Sequence, residues 1–350
     1  MEMIKNNIKN LKEYKINKKP YRIKLDANEG KDIFLKDISK KIIRDLEKID
    51  INLYPDTDSF LLRVEIGKYL NINPDNIVTG NGSSEMIELI MKTFIDKDDI
   101  VLSFVPTFSM YSIFTKIYSG RFIGINSNED FSIDIDILIE KTKEINPKVI
   151  FICNPNNPTG SLVKKHEVER LLNNVDCIVV VDEAYMEFAE GSMVEDIYKY
   201  KNLIVLRTLS KALGLAAIRL GYMISNVDIV NVINRVRAPY NLNTISQYMG
   251  IEALKNKERI FQYVEEVKRE RKYLYEKLTQ LSLELWESNT NFIFFKSDID
   301  ELDKKLEEDG ILIRAFSKEL RGCYRVTVGN RWENHEFVKS LKEILENEKS

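Results

Sequence analysis

Histidine and cysteine are scarce in this 350-residue sequence, which has two of the first and three of the second. His166 and His335 both stand in charged helical stretches, so a histidine-centred metal cluster or a Ser-His-Asp triad has little support. Cys153, Cys177 and Cys323 are too scattered for a disulfide framework or a cysteine-rich zinc site, and they read as small core residues. Net charge is equally limited, with 52 basic residues against 55 acidic ones and a formal value of -3. That balance offers no global field for a nucleic-acid or membrane partner. No apolar run approaches a membrane span and no signal-peptide core is visible, so a cytoplasmic protein is expected. Nor is there an internal repeat or a low-complexity linker. The Lys-rich start, Met1 to Lys24, is broken by Glu2, Glu13 and apolar residues, and reads as solvated surface or as an arm packed on a partner subunit.

What is present is an alternation of short apolar strands and helices. Asp56 to Leu70 reads as a helix, Asn71 to Asn76 as a turn and Ile77 to Val78 as a strand. A glycine-containing loop, Gly80 to Ser83, leads into the helical pattern Glu85 to Phe94. Strands follow at Ile100 to Leu102, Arg121 to Gly124 (at an edge), Val149 to Cys153, Cys177 to Val181, Leu203 to Arg207 and Leu220 to Ile224. Helices are predicted over Thr107 to Tyr118 and Lys164 to Asn173. This pattern predicts an α/β fold whose mostly parallel sheet is covered on both faces and takes ligands at the carboxyl ends of its strands. Tyr248 to Leu283 reads as one long helical stretch. Strands at Phe292 to Phe295 and Tyr324 to Val328 around a helix Ile299 to Glu308 make a smaller α/β unit. The expected division is residues 1–30 as an arm contributing to the small unit, 31–246 as a large domain and 247–350 as a small domain.

Several stretches could carry chemistry. Gly80-Asn81-Gly82-Ser83-Ser84-Glu85 sits at a strand-to-helix turn, where glycines admit close backbone approach and free amides can hold a phosphate. Glu85 stands where a dinucleotide fingerprint needs its last glycine, which makes a Rossmann dehydrogenase less plausible. Asn154-Pro155-Asn156-Asn157-Pro158-Thr159-Gly160 places three asparagines and two prolines in a turn at a strand end. Asp182 follows five apolar residues, and a carboxylate there needs a partner; a pyridinium N–H would serve, as would a helix or turn cap. Lys211 lies among small apolar residues, a setting that lowers an amine's pKa and suits Schiff-base chemistry. Thr208, Ser210 and Arg219 around it offer donors to one phosphate.

From Lys24 to Gly329 the chain resembles the fold-type I pyridoxal-phosphate aminotransferases, and most of all their histidinol-phosphate branch. The resemblance is carried by LDANE (Leu25 to Glu29), Tyr54-Pro55-Asp56, GNGSSE (Gly80 to Glu85), PTFSMY (Pro106 to Tyr111) and NPNNPTG (Asn154 to Gly160). It continues through DEAY (Asp182 to Tyr185), Thr208 to Gly221, PYNLN (Pro239 to Asn243) and RVTVG (Arg325 to Gly329). It implies a mostly parallel seven-stranded sheet between helices, a smaller α/β domain, and pyridoxal 5'-phosphate carried by Lys211. It further implies that Asp182 meets the pyridine nitrogen, that Asn157 and Tyr185 meet the 3'-oxygen, and that Phe108 lies over the ring. Ser83, Ser84, Ser210 and Arg219 would hold the phosphate, and Tyr54 would reach the phosphate of a neighbouring subunit in a homodimer with shared sites. Arg325 would clamp the carboxylate of glutamate and the phosphate of a phosphorylated substrate. Tyr14, Asn28, Tyr111, Arg237, Tyr240 and Asn241 are further candidates for substrate contact.

The chain departs from the family pattern at Gly30 to Phe34, at Lys15 to Asn17 and at Ala217. The first two of these bear on substrate choice. Aromatic amino-acid aminotransferases and threonine-phosphate decarboxylases share the scaffold. A cofactor-binding regulatory protein derived from it is a further alternative, against which Lys211, Asp182 and Arg325 argue.

Overall fold

The computed structural model describes residues 3–9, 11, 13, 20–34 and 37–348. After β1 (Ile23–Lys24), helices α1 (Asp37–Leu46) and α2 (Phe60–Leu70) lead to β2 (Ile77–Asn81) and α3 (Gly82–Phe94). Next come β3 (Ile100–Val105), α4 (Met110–Ile117), β4 (Arg121–Asn126), α5 (Ile135–Ile145), β5 (Val149–Cys153) and α6 (Lys165–Leu172). Strands β6 (Ile178–Asp182), β7 (Leu203–Thr208) and β8 (Leu220–Ser225) complete a seven-stranded sheet of order β2-β8-β7-β6-β5-β3-β4. Only β8 runs against its neighbours, pairing antiparallel with both β2 and β7; every other pairing is parallel. Strands β5 and β7 are buried along their whole length, as expected of a sheet with helices on both faces. On one face Met86, Ile87 and Ile90 of α3 meet Val180 and Ile204, while the opposite face packs Leu138, Val168 and Leu171 with Val179 and Val181.

Beyond the sheet run α7 (Val227–Val236), α8 (Thr244–Leu254) and α9 (Lys257–Gln280). A second sheet, ordered β12-β13-β10-β9, uses β9 (Glu284–Leu285), β10 (Phe292–Lys296), β12 (Arg314–Ala315) and β13 (Cys323–Thr327). It is accompanied by α10 (Leu302–Glu308), β11 (Ile311–Leu312) and α11 (Arg331–Asn347), and β1 returns from the other end of the chain to pair in parallel with β11.

Several boundaries differ from the sequence reading, and three of them have a clear local reason. Helix α2 starts at Phe60 rather than Asp56, because the Asp56 carboxylate accepts from the amides of Asp58 and Phe60 at 3.0 and 2.7 Å and holds a turn there. Helix α4 starts at Met110 rather than Thr107, because Thr107 and the Pro106 carbonyl are engaged by Asn156. The stretch Tyr248 to Leu283 is two helices, interrupted at Lys255 and Asn256, and Asn243 caps the first by accepting from Ser246 N–H at 2.8 Å. Ser246 lies inside α8 and donates to the Ile218 carbonyl.

Candidate active site

At the carboxyl end of β6, Asp182 is almost fully buried as the strand's last residue. One carboxylate oxygen accepts the Tyr111 hydroxyl at 2.8 Å and the other the Ala184 amide at 3.2 Å. Burial pushes its pKa up to about 6 against these two donors, which favour the charged form. Lys211 stands on the loop after β7, half-buried, with Nζ donating to the Ala27 carbonyl at 3.1 Å and 5.7 Å from the centre of the Tyr185 ring. Burial, and then the positive charge of Arg325, pull its amine down to about 7. Lys211 is close enough for its charge to favour the ionised Asp182.

The LDANE segment crosses these groups. Besides Ala27 on Lys211, Asp26 offers its carbonyl to Arg325 at 2.9 Å, and the Asn28 amide donates to the Tyr185 hydroxyl at 3.0 Å. Glycine is required on both sides of this crossing. A Cβ on Gly30 would sit 2.1 Å from the Lys211 carbonyl, and one on Gly214 (φ +65°) 2.0 Å from the Lys31 carbonyl. Arg325, on β13, also donates to Asn157 Oδ1 at 2.5 Å and lies over the Phe292 ring. Phe108 meets Tyr111 edge-on, and Tyr111 stacks on Phe151 with centroids 4.5 Å apart.

A second group of candidate residues lies where β2 turns into α3. Gly82 has φ +75°, and a Cβ there would lie 2.6 Å from the Arg219 guanidinium; one on Gly221 would lie 2.2 Å from the Ser83 amide nitrogen. The start of α3, with Ser83 and Ser84, is therefore pressed onto β8 beneath Arg219. The hydroxyls of Thr208 and Ser210, 3.1 Å apart, are buried on the loop leading to Lys211.

These observations decide the family. The model of the aminotransferase class I and II family matches residues 21–341. The chain belongs to the fold-type I pyridoxal-phosphate aminotransferases. It is 40% identical over 344 residues to the histidinol-phosphate aminotransferase of Clostridium novyi (strain NT), a match spanning 97% of each chain. With the enzyme of that name from Caldanaerobacter subterraneus subsp. tengcongensis it shares 41% over 350 residues, 98% of this chain and 99% of the other. The fold is that of the Sinorhizobium meliloti histidinol-phosphate aminotransferase solved with pyridoxal-5'-phosphate, at TM-score 0.89 and 21% identity over 99% of this chain and 98% of that one.

The residues of this fold-type I aminotransferase fit the family's cofactor. A buried carboxylate, an amine depressed toward neutrality, and a glycine-lined helix start under an arginine supply what a pyridine nitrogen, an aldehyde and a phosphate each require.

Other expected residues sit differently. Tyr111 is fully buried, and its hydroxyl is committed to Asp182 rather than turned to a substrate. Arg237 and Asn241 are bonded to Thr57 and Glu85, and Tyr240 stacks on Tyr54, which is 81% exposed. Tyr14 lies outside the described residues. The sequence reading missed the roles of the Asp26 and Ala27 carbonyls, because LDANE is read from its side chains and says nothing of where its backbone points. It also missed the buried group in which Arg207 bridges Glu183 and Glu187, each at 2.8 Å. The apolar run before Glu183 was the available signal for that group.

Proposed function

We propose that the chain transfers the amino group between L-histidinol phosphate and 2-oxoglutarate, giving imidazole-acetol phosphate and L-glutamate in histidine biosynthesis. One observation carries the chemistry: Lys211, Tyr185, Asn157 and Arg325 converge through the LDANE crossing although they come from distant parts of the chain, and Asp182 lies close enough to feel the Lys211 charge. Relatives named for this reaction, 40% identical along nearly their whole length, support the substrate.

When bound, pyridoxal phosphate supplies an electron sink for the bond broken at the substrate α-carbon. Lys211 would hold the cofactor and then, freed as an amine, take the α-carbon proton at Nζ and return it on the cofactor side. Asp182, kept anionic by Tyr111 and Ala184, would accept the pyridinium N–H. Asn157 and Tyr185 would bond the 3'-oxygen, and Phe108 would shield the ring from water. The α3 amides with Ser83, Ser84, Ser210 and Arg219 would hold the phosphate. Arg325 would exchange the Asp26 carbonyl for the substrate's anionic group, with Asn28 beside it.

The same reading includes a homodimer in which Tyr54 reaches the partner's cofactor phosphate. Its support is the run of exposed apolar side chains that flank Tyr54 in the sequence, namely Ile51, Leu53, Phe60 and Leu61. Stopped-flow spectroscopy of the cofactor-loaded protein with histidinol phosphate, aromatic amino acids and threonine phosphate tests the substrate. Histidinol phosphate should convert the cofactor fastest; a faster response to either of the others overturns the assignment.

A further inference from the structure

The PYNLN segment is not absorbed by this chemistry, yet it is densely bonded. Asn241 Nδ2 donates to Glu85 Oε1 at 3.0 Å and to the Thr79 carbonyl at 3.1 Å, and its own carbonyl accepts from Asn81 Nδ2 at 2.6 Å. Glu85 in turn caps the Asn81 amide with its other oxygen. From Asn241 the chain of bonds continues, because Arg237 Nη1 donates both to Asn241 Oδ1 at 2.9 Å and to the Thr57 carbonyl at 2.7 Å. Thr57 accepts the Tyr240 amide at 2.9 Å on its hydroxyl, and Tyr240 stacks on Tyr54 with centroids 4.5 Å apart. Three motifs, GNGSSE, PYNLN and Tyr54-Pro55-Asp56, are thereby one bonded unit.

The turn needs such a tie. Gly82, at φ +75°, leaves the step from β2 into α3 permissive, so hydrogen bonds from outside the turn help to fix its shape. A Cβ on Gly80 would fall 2.4 Å from the Met86 methyl and 2.5 Å from the Glu85 carboxylate, so both side-chain ends would have to move. That carboxylate lies one residue past Ser84, in the first turn of the helix whose start would hold a phosphate, and an unrestrained anion there would repel it. Asn241 holds one Glu85 oxygen, and Arg237, bonded to the same Asn241, adds a nearby positive charge to Glu85.

We propose that Asn241 and Arg237 are positioning residues of the phosphate cradle, and that through Thr57 they also set the loop that offers Tyr54 to the partner subunit. The cradle half rests on the cofactor reading above and the Tyr54 half on the shared-site dimer.

The test is equilibrium titration of full-length, cofactor-free protein with pyridoxal phosphate and, separately, with pyridoxal, which lacks the phosphate. Asn241→Asp keeps the side-chain shape but replaces the amide donor with an anion facing Glu85. It should weaken pyridoxal phosphate at least about tenfold, the scale of a lost hydrogen bond to a charged group, and leave pyridoxal unchanged. Arg237→Ala should act in the same direction. Equal losses for both ligands, or no loss for either, would overturn the proposal. Combining Asn241→Asp with Tyr54→Phe should give less than the product of the single effects; strict additivity would sever the Tyr54 half. Should Tyr54→Phe alone change nothing, the shared-site reading falls while a phosphate-selective effect of Asn241→Asp still upholds the cradle.

Discussion

The Tyr111 hydroxyl donates to Asp182 at 2.8 Å in a setting that excludes water from both groups, and 71 residues of chain separate them. Tyr111 stacks on Phe151, so the ring cannot swing away without opening the core. Tyr111→Phe removes the donor and keeps the packing. The half-reaction with an amino donor should slow about ten- to a hundredfold, with donor affinity little changed, as befits a lost bond to a buried charge. Stopped-flow rates equal to those of the parent would remove Tyr111 from the account.

Asp182 itself costs the fold stability. Its folded pKa, about 6, lies above the ordinary 3.8, so the folded state holds the proton longer and stability falls as pH rises through that window. In cofactor-free protein, Asp182→Asn should therefore stabilise by up to about 3 kcal/mol at pH 8, and the gain should shrink to a small fraction of that near pH 4. Urea unfolding at the two pH values checks the sign, and a gain that is larger in acid contradicts it.

For Lys211 the shift runs the other way in charge. An amine lowered to about 7 is mostly neutral, and therefore nucleophilic, at pH 8. Uptake of pyridoxal phosphate by cofactor-free protein should speed up through pH 7 and then level off; a rate still climbing at pH 10 would mean an ordinary lysine. Lys211→Ala should lose the lysine-linked absorbance band and reduce turnover by at least about a hundred- to ten-thousandfold.

Arg325 is held by Asn157 on one nitrogen and the Asp26 carbonyl on another, which presents its fork in one orientation. Arg325→Lys keeps the charge and loses the fork. KM for glutamate and for the phosphorylated substrate should both rise, by about tenfold or more, with a smaller change in kcat. An effect confined to one of the two substrates would refute a shared anion clamp.

Behind the site, Arg207 joins Glu183, next to Asp182, and Glu187, all three nearly out of water. Arg207→Ala would leave two buried carboxylates without their cation and should cost about 3–5 kcal/mol. Part of that loss should return at pH 5, where Glu183, whose pKa burial already raises, is more readily protonated. Denaturation midpoints at pH 5 and 7.5 measure both effects; a loss that deepens in acid would point to a different cause.

Much of the site was legible because its determinants are local. Apolar runs mark β5 and β6, glycines at 82 and 214 sit at positive φ where other residues strain, and asparagines and prolines mark the turn after β5. Helix starts were less so, since Asp56 and Thr107 look compatible with helix until their side chains find other partners.

By itself, then, the sequence determined the order of strands and turns and the residue types at each strand end, because periodicity and backbone preference act over a few residues. Tertiary structure alone decided that Tyr111 serves Asp182, that Asn28 meets Tyr185, and that Asn241 ties down Glu85. It also set the shifts of Asp182 and Lys211, because burial depends on what distant segments bring against a group.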